Sequence, residues 1–374
     1  MVRDHPLGER SGGQCASPPR ASAWIPRLPL PGRGWHGGPG RLMGIGPRGA
    51  GPGIDCRQGR SRKRMSGPVV VTGGSGMLGR AVLALLHRGG SADVLLAPTH
   101  EELDLTDTRA VIDWFGAHQP RAVLHLAGHV RGLAANMDDQ ISGLLANAHM
   151  AMNLAEACAS TRPARVVVAG STAAYGFPYR ALPLREEDLM EGDVHPGEYG
   201  YAWGQRTLIA AATILRRDLG IETSSAVLTN MFGPGDRFDG NAAHVIPALI
   251  ARFVAAVDEG AGEVVVWGRP GTTRDFLFAD DAAAAMVALL DSSDPPELLN
   301  VASGVERMMG EVADAIAQVA GFSGEIRWDS SQPVGIPRRS VDVTRLQVLD
   351  LPPPIGFDEG VRRTVEWYRE RRPS

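Results

Sequence analysis

The sequence predicts an α/β protein: a doubly wound parallel sheet with helices on both faces, joined to a smaller mixed α/β lobe. Three observations carry this. The apolar run Val69–Thr72 turns through three glycines spaced three apart (Gly73, Gly76, Gly79) directly into an apolar helical pattern. Short apolar runs then alternate with helical patterns as far as residue 229, as successive βαβ units do. After Gly233 the texture changes to a Gly, Asp and Asn-rich loop followed by fewer, shorter elements.

The chain has 374 residues, 44% apolar and 21% charged, ample for a sizeable core. Residues 1–64 hold 12 of the 38 Lys and Arg against only Asp4, Glu9 and Asp55, a net of +9, and are crowded with Gly, Pro and Arg. Such a segment buries too little apolar surface to offset its ordering entropy. It reads as a basic nucleic-acid arm, a transit peptide, or a stretch upstream of the working protein. The last is favoured because Met65 stands just before the first strand. From Met65 onward 26 basic residues face 39 acidic ones, a net of −13, which opposes nucleic-acid binding. No apolar stretch approaches the roughly 20 residues of a membrane span. Cys15, Cys56 and Cys158 form neither a disulfide framework nor a metal-ligand spacing, and a reducing cytoplasm suits them.

Taken in order, strands are expected at Val69–Thr72, Val94–Ala97, Ala122–Ala127, Arg165–Gly170 and Ser224–Thr229. Helices lie between them at Met77–His87, Thr108–Ala117, Ile141–Cys158 and Ala202–Arg217. Beyond the loop Gly233–Asn241 come a helix at Val245–Val257, a strand at Glu263–Trp267, a strand near Leu298–Ala302 returning to the large sheet, and a final helix near Glu359–Arg371. Residues 65–232 then form the large domain and 233–374 most of the smaller lobe.

The glycine turn brings bare backbone N–H groups and the positive end of a helix dipole to an anion, such as the phosphates of a dinucleotide. Its spacing is G-x-x-G-x-x-G, and a tight turn needing small residues would read the same way. A second constellation sharpens the choice. Ser171 stands at the end of a strand, in Gly170–Gly176, and about thirty residues on Tyr201 opens a helix within Tyr199–Arg206. This order, glycine loop, strand-end Ser and helix-borne Tyr, resembles the extended short-chain dehydrogenase/reductase superfamily, with its Rossmann-type sheet.

From Val69 to the final helix the chain resembles the GDP-L-fucose synthase family more narrowly. The matched runs are Glu102–Asp107, Asn230–Pro234, His244–Leu249, Val264–Gly268, Arg274–Asp281, Asn300–Gly304 and Pro337–Leu346. The resemblance implies a bifunctional epimerase/reductase of GDP-4-keto-6-deoxy-mannose that binds NADP, or NAD, and forms a homodimer. It implies that Gly73, Gly76, Met77 and Gly79 hold the cofactor pyrophosphate, with Asp104 and Leu105 at the adenine. It makes Ser171 and Tyr201 catalytic and His244 the acid of epimerisation. Asn230, Arg252, Trp267 and Arg274 contact the sugar nucleotide, where an arginine fork suits a pyrophosphate.

Plainer roles stand beside these. His244 is also an ordinary helix-start residue, Arg252 a solvated helix residue, and Arg274 a partner for the nearby acidic pair. Tyr199 rivals Tyr201, though Trp203 four residues on argues against it. Tyr175 and Thr172 read as pocket lining, and His125, His129 and His149 as structural.

Three departures bear on mechanism. The family's lysine, four residues after the tyrosine, is Gln205, which matches its place in the catalytic and cofactor sets; no lysine occurs after Lys63. Gln supplies a hydrogen bond but no charge. A unit charge about 5 Å from a phenolate at an effective dielectric near 20 is worth roughly 3 kcal/mol, about two pKa units. Without it Tyr201 stays protonated, so reduction of a ketone suffers less than oxidation of an alcohol. Arg206 points about 100° away and does not substitute. Ala173 occupies the place of the family's epimerisation cysteine, and a methyl group accepts no proton. Around Ser75 and Pro98, Thr99 and His100 neither the arginines of an NADP site nor the acid of an NAD site is present.

The sequence therefore reads as a nucleotide-sugar oxidoreductase that reduces a 4-keto group of a GDP-sugar. The alternatives are an epimerase or dehydratase of other specificity, and a catalytically impaired nucleotide-sugar-binding regulator or scaffold.

Overall fold

The computed structural model describes residues 67–89, 94–238, 243–331 and 335–371, all within one compact unit. The leader read over residues 1–64 and the start at Met65 lie outside these residues. β1 (Val69–Thr72) runs through the glycine turn into α1 (Met77–Arg88). β2 (Leu95–Leu96), α2 (Thr108–His118), β3 (Ala122–His125), α3 (Leu133–Asp138), α4 (Gln140–Thr161), β4 (Arg165–Ser171), α5 (Tyr199–Leu219) and β5 (Glu222–Leu228) follow. The later part adds β6 (Asn230–Phe232), α6 (Val245–Glu259), β7 (Glu263–Trp267), β8 (Thr273–Phe278), α7 (Ala279–Asp291) and β9 (Leu298–Val301). It ends with β10 (Glu306–Met308), α8 (Met309–Ala320), β11 (Glu325–Asp329) and α9 (Phe357–Arg371).

Six strands pair in parallel in the order β2-β1-β3-β4-β5-β9. Alternate side chains fill opposite faces. Val69, Val71, Leu124 and Val167 pack with α1 and α7. Val70, Val123, Val166 and Val168 pack with α2, α4 and α5. The order reverses between β1 and β3, and the crevice at such a switch point is where ligands enter open α/β sheets. A separate core of Phe232, Ile250, Phe253, Phe276, Ile316 and Val361 joins α6, α8 and α9 to two small sheets, β10-β8-β6 and β11-β7.

The strand expected at Val94–Ala97 is only Leu95–Leu96, because this edge strand pairs with β1 alone, over Val69 and Val70. The strand expected to Ala127 stops at His125, where the chain turns off to line the crevice. α5 starts at Tyr199 rather than Ala202, so Tyr201 lies within its first turn. The helices α3, α7 and α8 were not foreseen. α3 has six residues, too few for a period. α7 is alanine-rich with little polar contrast, since it is buried between the sheet and α1.

Candidate active site

The strand ends open on a cavity of about 760 Å³, within the range of small-molecule sites. Ser171 ends β4, and its Oγ accepts the Ala173 N–H at 3.2 Å. α5 lies tight on α4 because Gly200 leaves room for the Gln140 carbonyl, which a Cβ would meet at 1.9 Å. That contact sets the helix so that Tyr201 and Gln205, one turn apart, both face the cavity. The Tyr201 phenol is buried and shares the cavity wall with Ser171. Burial pushes it up to about 12, against the smaller downward pull of Ser171. Gln205 is 4% exposed, and its Oε1 has no hydrogen-bond partner, a costly state for a buried acceptor. Tyr199 is 43% exposed and outside the cavity, beside Trp203.

The glycine turn divides its labour. A Cβ on Gly79 would lie 2.1 Å from Gly73 O, and one on Gly73 2.6 Å from Ala127 N, so the chain's own close approach requires both. Gly76 meets only Gly73 O, at 3.3 Å, and it starts α1 with no side-chain cap and no acid in the first turn. The first-turn N–H groups are left open to an anion. Arg80, which sequence spacing alone did not bring to this loop, folds back to donate to the Ser75 and Gly235 carbonyls. One turn of helix thus brings an arginine beside the glycine loop, bonded to backbone carbonyls.

Met77, Ser171, Thr172, Tyr201, Gln205, Asn230, His244, Arg252, Trp267 and Arg274 all line the cavity. Asn230 donates to Asp275 O at 3.1 Å. His244 begins α6 with Nδ1 3.7 Å from Asp236 Oδ1. Arg252 is no solvated residue: it donates to Val265 O at 3.0 Å and lies 4.4 Å from the Trp267 ring centroid. Arg274 pairs with no carboxylate among the described residues. Burial first, then the charge of Arg339, pulls it down to about 10. The nearby Asp281 instead accepts the Ile355 and Gly356 N–H groups.

Some expected residues lie elsewhere. Asp104 and Leu105 are outside the cavity lining. Asp104 accepts both the N–H and hydroxyl of Thr106, which hold its carboxyl below the ordinary range, and Leu105 O accepts from Asn153. Tyr175 is not pocket lining. It is fully buried, with its hydroxyl 2.7 Å from Asn300 Oδ1. Ala173 is buried against Val194, Tyr201 and Ala202 and does not line the cavity. Arg206 turns away to bond the carbonyls of Ala174, Leu189, Glu191 and Gly192. Buried His125 pairs with Thr72 Oγ1 at 2.8 Å.

Sequence reasoning missed His195, Glu198 and Arg339, which also line the cavity. Arg339 donates to Glu198 Oε2 at 2.8 Å and to the Tyr179 hydroxyl at 2.6 Å. The signal available was the Pro-Arg-Arg start of the matched run at residue 337. Among the described residues no cluster of His, Cys, Asp or Glu is arranged to hold a metal ion, and no helix is long and apolar enough to cross a membrane.

A switch-point crevice with a glycine turn, a strand-end Ser and a helix-borne Tyr defines a Rossmann-type oxidoreductase of the short-chain dehydrogenase kind. The chain belongs to the NAD dependent epimerase/dehydratase family, whose sequence model matches residues 69–302, and within it to the GDP-L-fucose synthases. It is 36% identical over 307 residues to a probable GDP-L-fucose synthase 1 of Oryza sativa subsp. japonica, covering 81% of this chain and 92% of that one. It is 33% identical over 314 residues to the GDP-L-fucose synthase of Escherichia coli (strain K12), covering 81% and 97%. The crystal structure of a GDP-L-fucose synthetase from Naegleria fowleri bound to NADP superposes with a TM-score of 0.74, at 27% identity over 81% of this chain and 93% of that one.

Proposed function

We propose that this protein reduces a keto group, at C4, of a GDP-linked sugar with NADPH. The observation that carries the reading is the Ser171–Tyr201 pair, set in one cavity with the unpartnered Gln205 Oε1 and five arginines, Arg131, Arg252, Arg269, Arg274 and Arg339. The residues fit a dinucleotide: the uncapped start of α1 receives phosphate, and Gln205 Oε1 accepts from a hydroxyl. Arg80 beside the glycine turn favours the extra phosphate of NADP, and the solved relative from Naegleria fowleri holds NADP.

The nicotinamide, when bound, supplies a hydride to the keto carbon. The chain's own groups manage the oxygen. Ser171 polarises the carbonyl by hydrogen bonding, and Tyr201 gives its phenolic proton to the oxygen, so C=O becomes CH–OH; the phenolate regains a proton from solvent. The arginines hold the diphosphate, Arg252 and Arg274 by fork geometry. Ala173 offers no base, so inversion at the neighbouring carbons is absent from this reading.

The exposed apolar residues Ile141, Leu145 and Met152 form one stripe on α4, and Tyr199, Trp203 and Ile214 one on its neighbour α5. They support a homodimer through these helices. The buried, unpaired thiol of Cys158 is in keeping with the cytoplasm.

The test is purified protein with GDP-4-keto-6-deoxy-mannose and NADPH or NADH, followed at 340 nm. Consumption of the reduced cofactor with a sugar alcohol as product is expected. Stabilisation by ligand in a thermal-shift panel of GDP-, UDP-, dTDP- and ADP-sugars without turnover would instead favour a sugar-nucleotide-binding regulator.

A further inference from the structure

We propose that His195 and Glu198 form a recognition site for a single sugar hydroxyl on the carbon beside the reacting carbonyl, His195 donating to its oxygen and Glu198 accepting its proton. The proposal rests on the reductase reading above and adds the group by which the substrate is chosen.

His195 starts the short 3-10 turn Pro196–Glu198 that leads into α5, and its Nδ1 accepts the Gly197 N–H at 3.1 Å. An imidazole that accepts at Nδ1 carries its hydrogen on Nε2 when neutral. Burial, aided by the charges of Arg339 and Arg274, lowers its pKa against the opposing charge of Glu198. The ring stands edge-to-face on Phe177 at 4.8 Å, which fixes its plane. His195 is thus a neutral N–H donor in the cavity wall.

Glu198 is its complement. Burial raises its carboxyl, but the charge and hydrogen bond of Arg339 outweigh that and hold it below the ordinary range. It is therefore an acceptor only. It precedes Tyr201 by three residues, and its charge is felt at the Tyr201 phenol. His195, Glu198 and Tyr201 line the same cavity, which suits a hydroxyl held by the pair on a carbon near the one that reacts.

A donor and an acceptor on one wall select among ligand groups. A phosphate or keto oxygen only accepts, and would meet the Glu198 carboxylate. An ammonium only donates, leaves the His195 N–H unmet, and faces two guanidiniums. A methyl or methylene leaves both polar groups desolvated. A hydroxyl satisfies both at once, and sites built to bind a hydroxyl reject the analogue that lacks it strongly.

The experiment compares two substrates that differ in that hydroxyl alone, GDP-4-keto-6-deoxy-mannose and its 3-deoxy analogue. The proteins are the wild type, His195→Asn and His195→Gln. Asn keeps an acceptor near Nδ1 for the Gly197 N–H and loses the Nε2 donor. Gln places an N–H near Nε2. The wild type should favour the 3-hydroxy substrate in kcat/KM by about 100-fold or more. His195→Asn should bring that ratio toward one, mainly through KM, with an unchanged melting temperature, and His195→Gln should recover part of it. Equal kcat/KM values for the two substrates in the wild type, or a ratio unmoved by His195→Asn, would overturn the proposal. Calorimetric affinities for both keto sugars are measured in parallel. Absent reduction with a hydroxyl-dependent affinity would count against the reductase reading alone, and equal affinities against the hydroxyl site.

Discussion

Replacing Gln205 with lysine tests how the missing charge shapes this site. Residues one helical turn apart have Cβ atoms about 5–6 Å apart. An ammonium about 5 Å from the Tyr201 oxygen, at an effective dielectric near 20, stabilises the phenolate by roughly 3 kcal/mol, about two pKa units. Burial now holds the phenol at about 12, so Gln205→Lys should bring it to about 10. At pH 8 the ionised fraction then rises from about 10⁻⁴ to about 10⁻². Oxidation of the sugar alcohol, which needs the phenolate as base, should gain about 100-fold, and reduction, which needs the protonated phenol, should change only a few-fold. The exchange strands no donor, because Gln205 Oε1 already lacks a partner. Phenolate absorbance near 295 nm, titrated in Gln205→Lys with and without Tyr201→Phe, reads the pKa directly, and the 340 nm rate in each direction reads the consequence. A phenol still titrating near 12, or equal gains in both directions, would refute the argument.

Other expectations follow from the same geometry. Tyr201→Phe removes the proton donor and should lower keto reduction by about 10²–10⁴-fold, while thermal shifts on adding NADPH persist; retained turnover would displace Tyr201 from its role. Gly79→Ala places a Cβ 2.1 Å from Gly73 O, and should cost roughly 1–3 kcal/mol in urea unfolding together with NADPH affinity; an unchanged protein would show that the turn is not constrained as described. Burial depresses His125 from 6.5 to about 4. Below pH 6.5 the unfolded chain takes up a proton that the folded one refuses, so stability falls by about 3 kcal/mol between pH 6.5 and 4. His125→Gln should remove that part of the slope, as measured by denaturant unfolding at both ends of the window.

The large sheet was legible because strands buried on both faces leave continuous apolar runs, as Val69–Val71 and Val166–Val168 do. The positions of the glycine turn, Ser171 and Tyr201 were legible because they follow from order along the chain, a strand end for Ser171 and the first turn of a helix for Tyr201. Arg339 was not, since its partners Glu198 and Tyr179 lie 141 and 160 residues away and only folding joins them. Arg80 was passed over because its work depends on a turn of helix bringing it back onto Ser75. Tyr175 was misread because a tyrosine after a strand-end Ser says nothing of which way the chain turns, and here it turns into the core towards Asn300. The acceptor left without a partner at Gln205 belongs to no residue pattern at all. It exists only once the surroundings are packed.

The two residues that depart from the family pattern, Ala173 and Gln205, both remove the means of taking a proton away. The remaining acceptors in the cavity wall are mostly engaged: Glu198 by Arg339, and His195 Nδ1 by the Gly197 N–H. The Tyr201 phenolate is scarce at neutral pH, because burial holds the phenol near 12. His244 lines the cavity with 38% of its side chain exposed and its Nδ1 3.7 Å from Asp236 Oδ1. If His244 is the group that meets the carbon beside the ketone, a single group serves only one face of the sugar ring. It can pass a proton from a carbon beside the ketone to solvent and return another to the same face, but inversion needs a second group opposite. In D₂O without cofactor, GDP-4-keto-6-deoxy-mannose should therefore gain deuterium beside the carbonyl with every configuration retained, and His244→Gln should stop the exchange. Proton NMR of the recovered sugar decides. An inverted centre would mean that a second group has taken over the base's work that Ala173 cannot do, and the cavity would then have to be read as a full epimerase rather than a reductase site that exchanges protons on one face.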